Sequence, residues 1–153
     1  MSEEVVVNNP LADLVMVRRG KTATVSMVVD EAATAKALGS GDLDVLATPM
    51  MIAVMERAAN KCLAECLPPG MTSVGIAVDI EHVAASALGE NIVGFATIKD
   101  VNGRRVRFDV AARDNIGEIG HGTHTREIVD PSPFMHQARG RRLLAALSAP
   151  RPS

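Results

Sequence analysis

Three side chains of the sequence could together act on an activated carbonyl group: the hydroxyl of Thr48, the carboxylate of Glu56 and the imidazole of His82. A carboxylate can attack a carbonyl carbon or activate water, and an imidazole can transfer the proton that must move. A hydroxyl can orient either group through a hydrogen bond. The chemistry that this set predicts is acyl transfer, provided that the elements carrying the three residues bring them together.

Glu56 lies in a long apolar segment, VLATPMMIAVMERAANKCLAECL, which runs from Val45 to Leu67 and is typical of a buried helix. At 100° per residue, its carboxylate falls at the edge of the apolar arc, between Leu63 and Leu67. Other charged residues share the opposite face: Arg57, Lys61 and Glu65. A glutamate at the edge either extends to solvent or is kept for a reaction, because burying an unpaired charge is costly. Helix geometry alone leaves both explanations open.

His82 lies near the end of a segment whose pattern is typical of a strand. The segment SVGIAVDIEHV alternates with a period of two, which is typical of a half-buried strand. This alternation predicts that His82 shares one face with four apolar residues: Val74, Ile76, Val78 and Ile80. Since that face should cover the long helix, we expect His82 to point toward it. A histidine in such a place is more often structural than catalytic, so the position alone does not decide its role.

The flanking segments indicate further strands and one short helix. A β-branched run at residues 22–29 predicts a first strand, and Asp30 can cap a short helix that Gly39 ends. After the strand of His82, three more strands are expected in NIVGFATIKDV, RRVRFDVAARD and EIGHGTHTREIVD. The first two are joined by Asn102-Gly103, which is a strong hairpin signal. Hairpins of this kind predict an antiparallel sheet.

The long helix has clear start and stop signals. Thr48 is expected to be its N-cap, with Pro49 at the first helical position. The helix should end before the PPG turn of residues 68–70, which makes it roughly 19 residues and about 28 Å long. The order of elements therefore favours an α+β domain in which an antiparallel sheet wraps around one long helix.

The length of 153 residues predicts one domain. We expect an N-terminal extension over residues 1–20, the domain over residues 21–130, and a C-terminal tail over residues 131–153 that is flexible or holds a short helix. The net charge of −2 and the 2% aromatic content argue against nucleic-acid binding. No segment resembles a membrane span or a signal peptide, so no membrane role and a cytoplasmic location are expected.

Three other groups of residues have structural explanations beside functional ones. Cys62 and Cys66 share one helix face and are expected to be buried, inert thiols. His121 and His124 should lie on opposite faces of a strand, which argues against a shared metal ion. The arginines of the hairpin and of the tail fit either a solvated surface or contacts with phosphates: Arg104, Arg105, Arg107, Arg139, Arg141 and Arg142.

Four motifs together resemble one known family. VLATP before the helix of Glu56, then SVGIAVDIEHVAAS, NGRRVRFDVAARD and EIGHGTHTREIV, are similar in order and spacing to the fluoroacetyl-CoA thioesterase-like branch of the hotdog-fold thioesterases, over roughly residues 20–130. The resemblance implies a hotdog fold and a homodimeric acyl-CoA thioesterase with its sites at the subunit interface; further pairing into tetramers stays open. We expect no metal and no cofactor apart from the coenzyme A of the substrate.

The resemblance also implies roles for four residues. The positions that match the catalytic set of that branch are Thr48, Glu56 and His82, with Gly75 seven residues before the histidine. By this resemblance Glu56 would attack the thioester carbonyl or activate water, and Thr48 would orient it. His82 would polarise the thioester or protonate the leaving thiolate. Gly75, which has no side chain, would let the acyl group come close.

The sequence departs from that branch in the segment before the long helix. A member selective for fluoroacetyl-CoA is expected to carry bulky aromatics there, and GSGDLDVL at residues 39–46 has none. A broader or different short-chain acyl-CoA is therefore expected, with Leu46, Met50 and Met51 lining its pocket. Two alternatives are a non-catalytic acyl-CoA-binding hotdog protein, which should lack one of the three catalytic residues, and a hotdog hydratase or dehydratase, which should carry an Asp/His pair.

Overall fold

An antiparallel sheet of five strands and one long helix form the body of the protein. The structure is a computed structural model that describes residues 14–150. A single 3₁₀ turn, Glu31–Ala33, follows the first strand. The strands and α-helices, in chain order, are β1 Thr22–Val28, α1 Ala35–Leu38, α2 Thr48–Ala64, β2 Thr72–His82, β3 Asn91–Asn102, β4 Arg105–Arg113, β5 Glu118–Val129 and α3 Pro131–Ser148.

The sheet has the order β1-β3-β4-β5-β2, and every neighbouring pair of strands is antiparallel. Helix α2 lies across one face of this sheet and contacts β1, β2, β3 and β4. Its fully buried residues form the centre of the core together with inward residues of the sheet: Met51, Val54, Met55, Ala58, Ala59, Cys62, Leu63, Ile92, Ala96, Ile98, Val106, Phe108 and Ala112. This α+β arrangement, a sheet wrapped around one helix, confirms the predicted hotdog fold.

The N-cap of helix α2 lies one residue earlier than the sequence predicts. Its N-cap is Ala47, not Thr48, and no side chain caps the helix. Thr48 is the first helical residue, and its hydroxyl is bonded to His82 of β2 instead of the helix backbone. The prediction of Thr48 as the N-cap is therefore wrong. The helix has 17 residues and ends at Ala64, slightly before the predicted end.

The short helix predicted after β1 is interrupted by Thr34. Asp30 does accept a hydrogen bond from the backbone N–H of Ala33, and Gly39 does end the helix with a φ of 72°. Thr34, however, has an extended backbone and caps a second, separate turn, α1. Backbone bonds then fix the segment that leads to α2, since Leu46 donates to the carbonyl of Ser86 over 2.8 Å.

The predicted β3–β4 hairpin is present. Asn102 pairs with Arg105, so the two turn residues are Gly103 and Arg104, one position later than the sequence indicated. Gly103 has a φ of 59°, which glycine adopts without steric cost. The hairpin places β4 at the centre of the sheet, where its apolar residues alternate toward α2.

A β-bulge in β2 corrects the predicted faces of that strand. Gly75 pairs with Arg126 and Ala77 with Thr125, so Ile76 between them has no partner on β5. The extra residue reverses the alternation at this point. Val74 therefore does not share the inward face of the later residues. The residues of β2 that face the helix side of the sheet are Ser73, Gly75, Val78, Ile80 and His82.

The C-terminal segment forms a helix longer than the sequence indicated. Helix α3 has 18 residues and none of them is buried, where a tail with at most a short helix was expected. Its leucines are exposed: Leu143, Leu144 and Leu147. Among the residues that the structure describes, no helix is long and apolar enough to cross a membrane.

Candidate active site

Thr48 and His82 form the first part of the site. The Thr48 Oγ1 and His82 Nδ1 atoms lie 2.8 Å apart, which joins the start of α2 to the end of β2. Burial lowers the pKa of His82, although the backbone of Ala84 acts in the opposite direction. The second ring nitrogen, Nε2, is buried and has no hydrogen-bond partner in the described part of the chain. A neutral imidazole with one free nitrogen can exchange a proton with a bound substrate.

Both residues line a cleft of about 350 Å³. The segment before α2 forms one wall of this cleft through Ser40, Val45 and Leu46, and the residues after His82 form another. Leu46, a predicted pocket residue, is among the residues that line this cleft. Met51, in contrast, is fully buried in the core, and Met50 is half-buried against it, so the structure does not place these two methionines on the cleft wall.

Glu56 lies on the side of α2 that faces β2 and β5, next to Gly75. A Cβ atom added to Gly75 would lie 2.9 Å from Glu56 Oε2, so the absence of a side chain there leaves room for the carboxylate. The side chain of Glu56 is 43% exposed and lines a second cleft of about 320 Å³. Glu56 is therefore a partly exposed carboxylate in a cleft, beside a position of the backbone that has no side chain.

Two buried residues of β5 complete the surroundings of Glu56, and their place beside it was not predicted from the sequence. Arg126 Nη1 lies 3.9 Å from Glu56 Oε2, and its guanidinium is almost fully buried. His124 lies beside it, and burial lowers its pKa, with the charge of Arg126 adding to the effect. A signal existed in the sequence: the alternation of β5 puts His124, Arg126 and the buried Ile128 on one face, where a charged residue needs partners.

The two parts of the site are separated within one chain. Thr48 and Glu56 are eight residues apart on α2, which corresponds to about 12 Å along the helix axis. Gly75 and His82 are separated by roughly 20 Å along β2. One chain thus joins Thr48 to His82 and Glu56 to Gly75, but it does not bring all four residues together.

Of the other residues that the sequence singled out, His124 lines the cleft of Glu56, whereas His121 and the two cysteines line neither cleft. His121 is exposed on the outer face of the sheet, 3.2 Å from Glu118 and 3.5 Å from Glu81, whereas His124 is buried on the inner face. Within the described residues, no three ligand-type side chains are grouped to hold a metal ion. Cys62 and Cys66 are buried, and burial raises the pKa of Cys62 to about 11. At the hairpin, Arg105 pairs with Glu127 over 3.8 Å.

The sequence and the fold are similar to those of known proteins. The family model described as fluoroacetyl-CoA-specific thioesterase matches residues 29–132. The fluoroacetyl-CoA thioesterase of Streptantibioticus cattleyicolor is 36% identical over 96 residues, which are 63% of this chain and 69% of that protein.

Solved structures give the same result. A threonine-to-serine variant of a fluoroacetyl-CoA thioesterase in complex with acetyl-CoA is similar with a TM-score of 0.77 and 32% identity, covering 81% of this chain and 98% of that one. A thioesterase superfamily member from Thermus thermophilus has a TM-score of 0.76 and 27% identity, covering 88% and 98%. From these matches and from its fold, the chain belongs to the fluoroacetyl-CoA-specific thioesterase family and is a thioester hydrolase.

Proposed function

We propose that the protein hydrolyses a short-chain acyl-CoA to the free acid and coenzyme A, with Glu56 as the reacting carboxylate. The observation that carries this proposal is the position of Glu56 in an open cleft, against the bare backbone of Gly75. Further support comes from relatives, since one is named a fluoroacetyl-CoA thioesterase and a solved one holds acetyl-CoA. Coenzyme A would be part of the substrate and not a resident cofactor.

The complete site would form between two copies of the chain. Strand β2 lies at the edge of the sheet, and its Ile76 and Val78 are 43% and 48% exposed. A long edge strand with exposed apolar residues is a surface for pairing with another chain. In a two-fold symmetric pair, antiparallel β2 strands crossing near Val78 would bring Gly75 of one copy beside the partner's His82. Each site would then combine Glu56 and Gly75 of one copy with Thr48 and His82 of the other.

The two parts would supply different steps of the hydrolysis. Glu56 would attack the thioester carbonyl carbon or remove a proton from the attacking water molecule. The partner's His82, oriented by its bond to Thr48, would donate a hydrogen bond to the carbonyl oxygen or a proton to the leaving thiolate. A donor already aimed at the oxygen stabilises the charge that develops in the transition state. In this arrangement Thr48 orients His82, whereas the family resemblance implied that it would orient Glu56.

The acyl group would be short but not restricted to fluoroacetyl. The segment at residues 39–46 has no aromatic side chain, and it bounds the cleft together with small residues. Those small residues are Ala35, Ser40, Ala84 and Ala85. A wall without bulky aromatics discriminates weakly among small acyl groups, because one methylene changes the binding free energy by only about 1–3 kcal/mol.

The test is thiol release from a panel of acyl-CoA esters of increasing chain length, including acetyl-CoA, fluoroacetyl-CoA, butyryl-CoA and a long-chain ester. We expect turnover of several short esters and little turnover of the long one. Glu56→Gln should lose most of this turnover while remaining folded, since removing a positioned base costs about 10²- to 10⁴-fold in rate. Binding without thiol release would instead favour the non-catalytic alternative, and hydration of an enoyl-CoA would favour the hydratase.

A further inference from the structure

His124 uses both of its ring nitrogens inside the protein. Its Nδ1 lies 2.9 Å from the backbone oxygen of Ala77, and a carbonyl oxygen can only accept, so Nδ1 carries the proton. In the neutral ring Nε2 is then an acceptor, and Arg126 Nη1 donates to it over 3.3 Å. The ring of Phe108 stacks on the imidazole with the centroids 6.3 Å apart. The tautomer and the orientation of His124 are thus fixed by three neighbours.

Arg126 donates hydrogen bonds to several acceptors other than Glu56. Its Nε donates to Ser73 Oγ over 2.8 Å, and its Nη2 donates to the Ser73 backbone oxygen over 3.0 Å. Nη2 also reaches Asn60 Oδ1 at 3.5 Å. With His124 on Nη1, all three guanidinium nitrogens have an acceptor. The remaining distance of 3.9 Å from Nη1 to Glu56 Oε2 is an ion-pair contact that is too long for a hydrogen bond.

We propose that His124 is a positioning residue that keeps the Arg126 guanidinium beside the Glu56 carboxylate without letting it close on that carboxylate. This inference rests on the proposed function, in which Glu56 is the reacting group. A buried guanidinium tends to form two parallel hydrogen bonds with a nearby carboxylate. If the acceptor of His124 were lost, Nη1 would turn to Glu56 Oε2 and occupy the lone pair that must attack the thioester carbonyl or accept a proton from water. His124 therefore keeps this lone pair available.

The groups that face His124 come from three other elements of the fold. Helix α2 provides Glu56, β2 provides the Ala77 carbonyl, and β4 provides Phe108. Of these, only Glu56 is titratable. The other charged neighbour is Arg126 of the same strand. A positively charged His124 could not accept from Arg126, so the positioning role requires the neutral imidazole that burial favours.

Two substitutions of His124 separate positioning from a purely structural role. In His124→Asn the side-chain amide can replace the Nδ1–H donor to Ala77, but residue 124 no longer offers an acceptor to Arg126 Nη1. In His124→Gln the longer side chain carries its carbonyl oxygen toward the place of Nε2, so Arg126 keeps an acceptor and the bond to Ala77 is lost. We expect kcat of the Asn variant to fall by about 10- to 100-fold with KM changed by less than about threefold. The Gln variant should retain kcat within about threefold of the wild type.

Equal losses of kcat in the two variants, or a larger loss in His124→Gln, would overturn the inference. A double-mutant cycle gives a second readout: in an Arg126→Met background, His124→Asn should cause little further loss of kcat, because its effect passes through Arg126. Full additivity of the kcat losses caused by Arg126→Met and His124→Asn would also contradict the inference. Glu56→Gln, measured in the same assay, distinguishes a failure of the proposed function from a failure of the proposed role of His124. An active Glu56→Gln enzyme would refute the proposed function, whereas an inactive one beside a wild-type-like His124→Asn would refute only the role of His124.

Discussion

The hydroxyl of Thr48 and the ring of His82 are joined by a 2.8 Å hydrogen bond between the first residue of α2 and the last residue of β2. This bond fixes the direction of an imidazole whose other nitrogen has no partner in the described chain. We expect Thr48→Val, which keeps the shape but removes the hydroxyl, to lower kcat by about 10- to 100-fold. Thr48→Ser, which keeps the hydroxyl, should retain most activity. Equal kcat values for the two variants would show that the bond does not matter for catalysis.

Mixed dimers test whether the site is shared between subunits. Glu56→Gln and His82→Ala homodimers should each be nearly inactive. In a dimer of one chain of each kind, one site carries both changes, and the other combines an intact Glu56 with an intact His82. Co-expressed and differently tagged chains should therefore recover roughly half of the wild-type kcat per dimer. No recovery, in a preparation shown to be the mixed dimer, would indicate that each chain builds its own site.

Gly75→Ala should impair catalysis more than folding. The added Cβ would meet Glu56 Oε2 at 2.9 Å and His124 Cε1 at 3.1 Å. The first of these atoms is at the end of a flexible side chain, so the carboxylate can move away at little cost to the fold. We expect kcat to fall by about tenfold or more, since a displaced reactive group loses its alignment. The melting temperature measures the fold separately, and a wild-type kcat in this variant would contradict the proposed position of the substrate.

Gly94→Ala should have the opposite pattern, a loss of stability. A Cβ atom on Gly94 of β3 would lie 2.8 Å from the backbone oxygen of Val54, so the helix itself would have to shift. We expect the free energy of unfolding to fall by about 1–3 kcal/mol, as for other overpacked cores. Gly117→Ala is the matched control, because its Cβ would meet nothing within 4 Å and its φ is not positive. Equal denaturation midpoints for the two variants would contradict the close packing of α2 on β3.

Stability should decrease on mild acidification. Burial lowers the pKa of both His82 and His124 in the folded chain. Above about pH 6.5, the ordinary pKa of histidine, the two side chains are neutral in both the folded and the unfolded chain. In that range they do not change the free energy of unfolding. Below it the unfolded chain takes up protons that the folded chain does not, so the free energy of unfolding falls until the pH reaches the lowered pKa values.

Denaturant midpoints measured between about pH 7.5 and about pH 5.0 cover this range, which lies above the ordinary titration range of carboxylates. His124→Gln removes one of the two histidines, so its midpoint should change less with pH than that of the wild type. An identical change in both proteins would mean that His124 takes up its proton as easily when folded as when unfolded.

Local patterns in the sequence predicted the parts of the fold that local interactions determine. The apolar arc of α2 and the Asn102-Gly103 hairpin are examples, because each depends on residues that are close in the chain. The N-cap was assigned wrongly since Thr48 is a good capping residue by type, and only the tertiary contact with His82 shows where its hydroxyl goes. The surroundings of Glu56 were missed for the same reason, as Arg126 is 70 residues away along the chain.

The bulge at Ile76 has a consequence for how related sequences should be compared. Gly75 and His82 are separated by seven positions, an odd number, and on a regular strand such residues point to opposite sides of the sheet. The unpaired Ile76 compensates for the odd spacing, so that both residues face the helix. The number of residues between them is therefore as much a part of the site as their identities. Consider a relative that keeps the residues equivalent to Thr48, Glu56, Gly75 and His82 but has lost one residue from this strand. It would have the same chemical groups and only half of the site.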